Sequence, residues 1–314
     1  MAKILGLDTS NYTTSAAWLD TDDLSVIQSK KLLPVKPGEK GLRQSDAVFH
    51  HTKQLPEVVA KLIGQAGGTP DHIGVSVKPR LAEGSYMPCF LVGEGAADTL
   101  GSVLGIKPDK TSHQVGHILA AIYSSQRFDL IKNKKAFGAF HVSGGTTDLL
   151  LCSHSEENVL DITRIGGSND LKAGQAIDRC GVMLGLRFPC GAELERLALK
   201  SERYYKIKPS VNKLECSFSG LENKCSDMIK RKEPKEDIAL YCLSYVLESI
   251  RALTSAFYEM YGNKTLLYAG GVMSNKMIKE SLQSDERVFC EPAFSSDNAC
   301  GVAVYSAIKR GLII

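Results

Sequence analysis

The sequence predicts an α/β fold of two related lobes, each a mixed sheet flanked by helices. Three observations predict it. Lys3–Asp8 and Thr13–Leu19 are short apolar runs joined by a polar turn, Thr9-Ser10-Asn11-Tyr12. Residues 137–153 repeat that opening with Phe137–Val142, a glycine-rich turn Ser143-Gly144-Gly145-Thr146-Thr147, and Asp148–Ser153. Each opening is followed by another strand-like run and then by helical periodicity, an order that yields mixed sheets covered by helices. The duplication implies lobes 1–134 and 135–314, divided after the basic stretch Lys132-Asn133-Lys134-Lys135, with a cleft between them. The last helix is expected to pack back on the first lobe.

The elements follow in order. Leu24–Leu33 completes a first meander. Ser45 has the chemistry of a helix N-cap, so an amphipathic helix is expected over Asp46–Gln65, broken at Pro56 and stopped by Gly67-Gly68. Ile73–Val77 is a buried strand, Phe90–Leu104 a closely packed helix rich in Gly and Ala, and His113–Ser125 another helix. In the second half, Val159–Ile165 is a strand. Helices are expected at Asp170–Leu186, Glu193–Lys200, Phe218–Lys230 and Lys235–Tyr261. Thr265–Ala269 is a strand ending in Gly270-Gly271. Helices Met273–Leu282 and Ser295–Arg310 flank a short strand at Arg287–Cys290.

Composition narrows the function classes. Of 314 residues, 43% are apolar and 23% charged, the balance of a globular chain with a full core. A net charge of +3 permits nucleic-acid contact without the dense basic patch of a dedicated module. The nine cysteines form no Cys-x-x-Cys pair, which points to buried thiols in a reducing compartment rather than to a cysteine metal site. No run approaches the roughly 18 apolar residues of a membrane span, and the first residues lead straight into a strand, so the cytoplasm is expected.

Three turns have the chemistry to meet a nucleotide. They are Asp8–Thr14, Ser143–Thr147 and Gly270-Gly271-Val272-Met273-Ser274-Asn275. Glycine lets backbone N–H groups approach phosphate, and a helix start after the third turn favours an anion. Asn275 offers hydrogen bonds to a ribose or base. Separately, Ser112-His113-Gln114-Val115-Gly116-His117 sets two imidazoles at i and i+4, on one helix face and close enough to share a cation. Adjacent His50-His51 diverge and do not suit joint ligation. Asp297, at the start of the last helix, is the candidate third ligand, although spacing alone does not bring it to His113.

Together these motifs resemble the TsaD/YgjD family of tRNA threonylcarbamoyltransferases, once called O-sialoglycoprotein endopeptidases, over nearly the whole chain. The matching segments are Leu5-Gly6-Leu7-Asp8-Thr9-Ser10, His113-x-x-x-His117, Val142-Ser143-Gly144-Gly145-Thr146-Thr147, Ala173-Gly174-Gln175-Ala176-Ile177-Asp178, Pro189-Cys190-Gly191, Ser217-Phe218-Ser219-Gly220-Leu221, Gly270-Gly271-Val272-x-x-Asn275 and Ser296-Asp297-Asn298-Ala299. The resemblance implies an actin-like ATPase fold around a nucleotide cleft. It implies one divalent metal, Fe2+ or Zn2+, on His113, His117 and Asp297. Ser143, Gly144, Gly145, Thr146, Asp178, Gly191, Gly270, Gly271 and Asn275 would hold an adenylate, either threonylcarbamoyl-AMP or ATP/AMP, beside a first loop carrying Asp8, Ser10 and Asn11. The implied reaction passes a threonylcarbamoyl group to the tRNA adenosine 3′ of the anticodon. The implied partners are tRNA, a smaller family paralogue and a small P-loop ATPase, or a second copy of the chain.

The chain departs from the family pattern at specific places. The Cys-Asp-Glu-Thr of the first loop is Asn11-Tyr12-Thr13-Thr14, the histidine after Ser-Gly-Gly is Thr146, and the Asp-Asp and Glu ahead of Asp178 become Asn169-Asp170 and Gln175. Arg179 stands where the family has lysine, and residues 78–88 replace a Gly-Pro-Gly-Leu loop. Two functions therefore stand side by side: the family's transfer reaction, or a divergent paralogue that binds nucleotide and metal and serves another acceptor or a non-catalytic role. A protease is disfavoured, because Gln114 sits where His-Glu-x-x-His chemistry needs a glutamate.

Overall fold

A computed structural model describes residues 2–10, 12–34, 42–295 and 299–314. Asn11 and Asp297 lie outside the described residues. The chain forms two compact units. The first comprises Met1–Lys135, Ser153–Ile162 and Ala293–Ile314, and the second comprises Ala136–Cys152 and Thr163–Pro292.

The first unit is built on strands β1 (Lys3–Asp8), β2 (Thr13–Asp20), β3 (Val26–Leu32), β4 (His72–Lys78) and β5 (Asp109–Ser112). They form a mixed sheet of order β3-β2-β1-β4-β5. β1 and β2 pair antiparallel, whereas β4 runs parallel to β1 and to β5. The central place of β1 explains why its whole apolar run is buried. Helices α1 (Gln44–Ala66) and α2 (Phe90–Leu104) pack with the strands around a core that includes Leu5, Leu7, Trp18, Leu62 and Val75.

Helix α3 (His113–Ser124) follows β5 directly, and a short helix α4 (Asp129–Lys132) ends the segment. Every α3 residue from His113 to Tyr123 is buried, which is unusual for a helix that begins with two polar side chains. Close approach of the C-terminal helix explains it. A Cβ on Gly301 would sit 1.7 Å from the Gly116 carbonyl oxygen, so the two backbones touch there and only glycine fits.

The second unit carries β6 (Phe137–Val142), β7 (Thr147–Ser155), β8 (Val159–Ser168), α5 (Ala173–Met183), α6 (Gly191–Ala198), β9 (Ser210–Asn212), β10 (Glu215–Ser217), α7 (Ser219–Lys230), α8 (Lys235–Tyr261), β11 (Leu266–Ala269), α9 (Lys276–Leu282) and β12 (Arg287–Phe289), except for the end of β7 and the start of β8 within Ser153–Ile162. Its sheet order is β12-β11-β6-β7-β8-β10-β9. β6 pairs antiparallel with β7 and parallel with β11. Tyr268 lies opposite both Phe140 and Phe289 in register, and its ring stacks on theirs at centroid distances of 5.2 and 4.6 Å. Such aromatic pairs add about 1 kcal/mol each beyond their burial and hold the ends of β6, β11 and β12 in line. Helices α10 (Pro292–Ser295) and α11 (Cys300–Lys309) complete the chain and, from Ala293 onward, belong to the first unit.

Several sequence expectations are corrected. α1 begins at Gln44 with Arg43 as the flanking residue, so Ser45 is inside the helix and not its cap. Pro56 does not break α1; it lies on the exposed face, where the carbonyl it leaves unbonded faces water. The helix expected from Asp170 starts at Ala173, because Asp170 is used elsewhere. Residues Gly271–Ser274 form a 3-10 turn ahead of α9. The helix expected over Ser295–Arg310 divides into α10 and α11. The short strands β5, β9 and β10 carry too little alternation to be read locally.

Candidate functional site

In the first unit, Asp8 stands at the C-terminal end of the central strand with only 1% of its surface exposed. Burial alone would push its carboxyl up. The His113 imidazole, together with hydrogen bonds from His113, Ser76 and Ser10, outweighs burial and holds it below its ordinary range. The Ser76 hydroxyl donates to Asp8 Oδ1 at 2.6 Å, and Ser10 donates its backbone N–H to Oδ1 and its hydroxyl to Oδ2. His113 Nδ1 lies 2.9 Å from Asp8 Oδ2. An ionised carboxylate only accepts, so His113 donates through Nδ1, which leaves Nε2 as the nitrogen for a metal.

His113 and His117 are both buried, with ring centroids 4.3 Å apart and planes at 83°. The start of their helix is fixed from two sides. The Ser112 hydroxyl accepts from the Val115 N–H, and the Pro79 carbonyl accepts from the Gln114 N–H. The loop that replaces the family's Gly-Pro-Gly-Leu thus contributes a carbonyl to the first turn of the histidine helix. Thr9 anchors the first loop to α2, donating to the Cys89 carbonyl and accepting from the Gly93 N–H. The donor set fits a divalent transition metal: two imidazoles on one helix face, and a buried carboxylate that fixes the tautomer of one of them.

In the second unit, the turn after β6 is closed by a 2.8 Å hydrogen bond from the Ser143 N–H to the Thr146 carbonyl. Gly144 and Gly145 are exposed and a Cβ on either would meet nothing. Helix α5 begins against this turn. The Thr147 hydroxyl accepts from the Ala173 N–H at 2.8 Å, and a Cβ on Gly174 would lie 2.5 Å from the Ser143 carbonyl oxygen. Glycine is therefore required at 174 for the helix start to reach the turn. Gly270, with φ of 97°, lies over the end of β6 at Val142, which brings the third turn to the same strand ends.

Asp178 is half-buried on α5, and burial pushes its carboxyl up. Its Oδ1 accepts from the Cys190 N–H at 2.8 Å, just ahead of Gly191. Asn275 caps α9, its Oδ1 accepting from the Ile278 N–H. Glu195 of α6 accepts from the Lys276 N–H at 2.7 Å and so ties that cap to α6.

The structure thus gathers Asp8, Ser10, His113 and His117 in the first unit. In the second it gathers Ser143, Gly144, Gly145 and Thr146 with Gly270 and Gly271. Asp178 and Gly191 meet at the start of α6. Sequence reasoning missed Ser76, Thr147 as a helix cap, Glu195 and Asp170. Asp170 accepts from Ser217 Oγ and from the N–H groups of Phe218 and Ser219, so the Ser-Phe-Ser-Gly segment is a landing site for this one carboxylate. Burial alone would raise that carboxyl, but these donors hold it well below its ordinary range. No local signal links residues 48 positions apart.

Solved structures share the fold at low identity. Component A of (R)-2-hydroxyglutaryl-CoA dehydratase from Acidaminococcus fermentans superposes with a TM-score of 0.58 at 13% identity, covering 99% of each chain. Full-length HypF, in a phosphate- and nucleotide-bound form, gives 0.58 at 15% identity over 98% of this chain and 55% of that one. These neighbours have the actin-like ATPase fold, in agreement with the two mixed sheets flanked by helices. A tRNA N6-adenosine threonylcarbamoyltransferase from Streptococcus pneumoniae is 29% identical over 326 aligned positions, 98% of this chain and 92% of the relative. The sequence model of the tRNA N6-adenosine threonylcarbamoyltransferases, TsaD, matches residues 26–304. That match spans most of the chain, including the histidine helix and both glycine turns, and the chain belongs to the TsaD family.

Proposed function

We propose that the chain transfers a threonylcarbamoyl group from threonylcarbamoyl-adenylate to the exocyclic amine of the tRNA adenosine 3′ of the anticodon, with Fe2+ or Zn2+ on His113, His117 and Asp297. The observation that carries this reading is the buried Asp8–His113 hydrogen bond beside His117. A surface histidine pair has no use for a carboxylate cage, whereas a ligand that must hold its orientation does. A bound metal would supply Lewis-acid polarisation of the carbamoyl oxygen. The chain's own contribution is positioning. Asp8, Ser10 and Ser76 hold the His113 ring. The open backbone at Gly144 and Gly145 offers N–H groups to a phosphate. Asp178 keeps its second carboxylate oxygen for a ribose hydroxyl. tRNA is the acceptor, and a smaller family paralogue, a small P-loop ATPase or a second copy of the chain are the protein partners.

The test is transfer from authentic adenylate to an unmodified anticodon stem-loop with those partner proteins present. Wild-type protein modifies the adenosine, and His113→Ala loses more than about 100-fold of the rate. Failure of the wild-type protein under these conditions defeats the proposal.

A second reading rests on where the departures fall. Gln175, in place of an acid, accepts from the Lys172 N–H and caps α5. Arg179, in place of lysine, pairs with Glu222 at 2.6 Å. Both replacements serve the fold, as expected if adenylate chemistry has been given up while binding is kept. Lys31 and Lys134, surface cations of the kind a tRNA backbone would meet, are paired with Glu57 and Glu156. Salt-dependent tRNA binding separates the readings, since phosphate contacts release counterions and a non-tRNA paralogue shows no such slope.

A further inference from the structure

Three cysteines meet inside the second unit, one of them two residues along α5 from Asp178. Cys180 lies on α5, Cys225 on α7 and Cys242 on α8. Their Sγ atoms all fall within 4.8 Å of one another, and all three residues are fully buried. They are 45 and 17 residues apart in sequence (225 − 180 and 242 − 225), so no paired spacing announces them. The three helices pack pairwise, and the surrounding side chains, among them Leu221, Met228 and Leu243, are apolar.

Thiolates bound at about 2.3 Å around one ion in a plane sit about 4.0 Å apart. Small side-chain adjustments therefore suffice to close the cluster on a cation. The thiols already polarise one another. Donation from Cys180 and Cys242 holds the Cys225 thiol below its ordinary range, against burial, while the same contacts and burial push Cys242 well up. The apolar wall excludes the water that Mg2+ or Ca2+ would retain and leaves sulfur as the available donor.

We propose that Cys180, Cys225 and Cys242 form a binding site for a thiophilic d10 cation, zinc or copper(I), that clamps α5, α7 and α8 together. On binding, each S–H gives its proton to solvent and each sulfur forms a bond to the ion, with no change of oxidation state. Binding therefore tightens as pH rises. The site does not depend on the histidine ligands or on the transfer reaction.

The experiment uses the full chain, stripped with chelator under reducing conditions and titrated with Cd2+, Zn2+ or Cu+. Thiolate-to-metal charge transfer in the ultraviolet with Cd2+ and Cu+ reports sulfur ligation and is silent to a histidine site. The expected result is a band that saturates at one equivalent and that also develops when Cd2+ or Cu+ displaces Zn2+ from the zinc-loaded protein. The melting temperature rises in parallel. Cys225→Ser loses the band and the rise, and His113→Ala keeps both. Should Cys225→Ser fail to fold, mass-spectrometric counting of wild-type thiols alkylated in mild denaturant, which opens the core of the ion-free protein, takes its place, with three fewer modified when the ion is present. A wild-type protein that shows no sulfur band, or no protection of these three thiols, overturns the site and identifies the cluster as apolar packing.

Discussion

The turn after β1 and the turn after β6 hold the same place in the local order strand, turn, strand, yet they present opposite chemistry. The first is held mainly by side chains, beside one backbone bond from the Thr13 N–H to the Ser10 carbonyl. Asp8, Thr9 and Ser10 are buried, and Asp8 alone collects hydrogen bonds from Ser10, Ser76 and His113. The second is closed by backbone, with Ser143 bonded to Thr146 and two glycines open to solvent. One repeated opening thus serves a rigid polar cage in one unit and a bare backbone platform in the other. A cage suits an ion whose ligands must not move, and a platform suits a phosphate that approaches main-chain N–H groups.

The largest effect expected from breaking this contrast is at the cage. Asp8→Ala strands four buried donors on three residues and is expected to cost about 4 kcal/mol by denaturant unfolding. Ser143→Ala, in the half-buried platform, stays within about 0.5 kcal/mol. Equal losses in the two variants would erase the distinction. Metal affinity of Asp8→Asn, which keeps the shape, is expected to fall about 10-fold to 100-fold.

Next in size is a test of the platform itself. Gly174→Ala drives a methyl group into the Ser143 carbonyl and the Gly144 Cα, 2.5 and 2.7 Å away. It is expected to cost about 2 kcal/mol, and nucleotide affinity should fall with it because the turn must shift. Retained stability and affinity would mean that α5 does not support the turn.

The smallest effect moves the carboxylate cage to the surface. Asp170→Asn loses charge-assisted bonds to Ser217, Phe218 and Ser219. Water screens this exposed group, so the loss is held to about 1 kcal/mol at neutral pH. The sign is fixed by the lowered carboxyl of Asp170. Its stabilisation is complete above the ordinary aspartate value of about 3.9 and disappears as pH falls towards the folded-state value. Stability curves of the two proteins should therefore converge in acid, and curves that stay parallel would remove the charge from the explanation.

Much of this was legible in the chain. Local periodicity placed α2, α7 and α8 within a residue or so, because each buries one face or more along an uninterrupted run. It placed β1, β6 and the turns between strands for the same reason. The i, i+4 spacing put His113 and His117 on one face, and the helix delivers both to the interior. What the spacing left open was their partner: His113 is 105 residues from Asp8, and parallel pairing of β1 with β4 and of β4 with β5 brings them together.

The sequence by itself determined the order of elements, the duplicated openings and the family motifs, since these depend on residues near one another along the chain. Tertiary structure alone decided which carboxylate orients His113, why Ser217-Phe218-Ser219 is needed, and that Cys180, Cys225 and Cys242 converge. Those contacts close loops of 17 to 105 residues. A gap of that length leaves no periodic signal, and only the packing of sheets and helices sets which distant side chains arrive at one point.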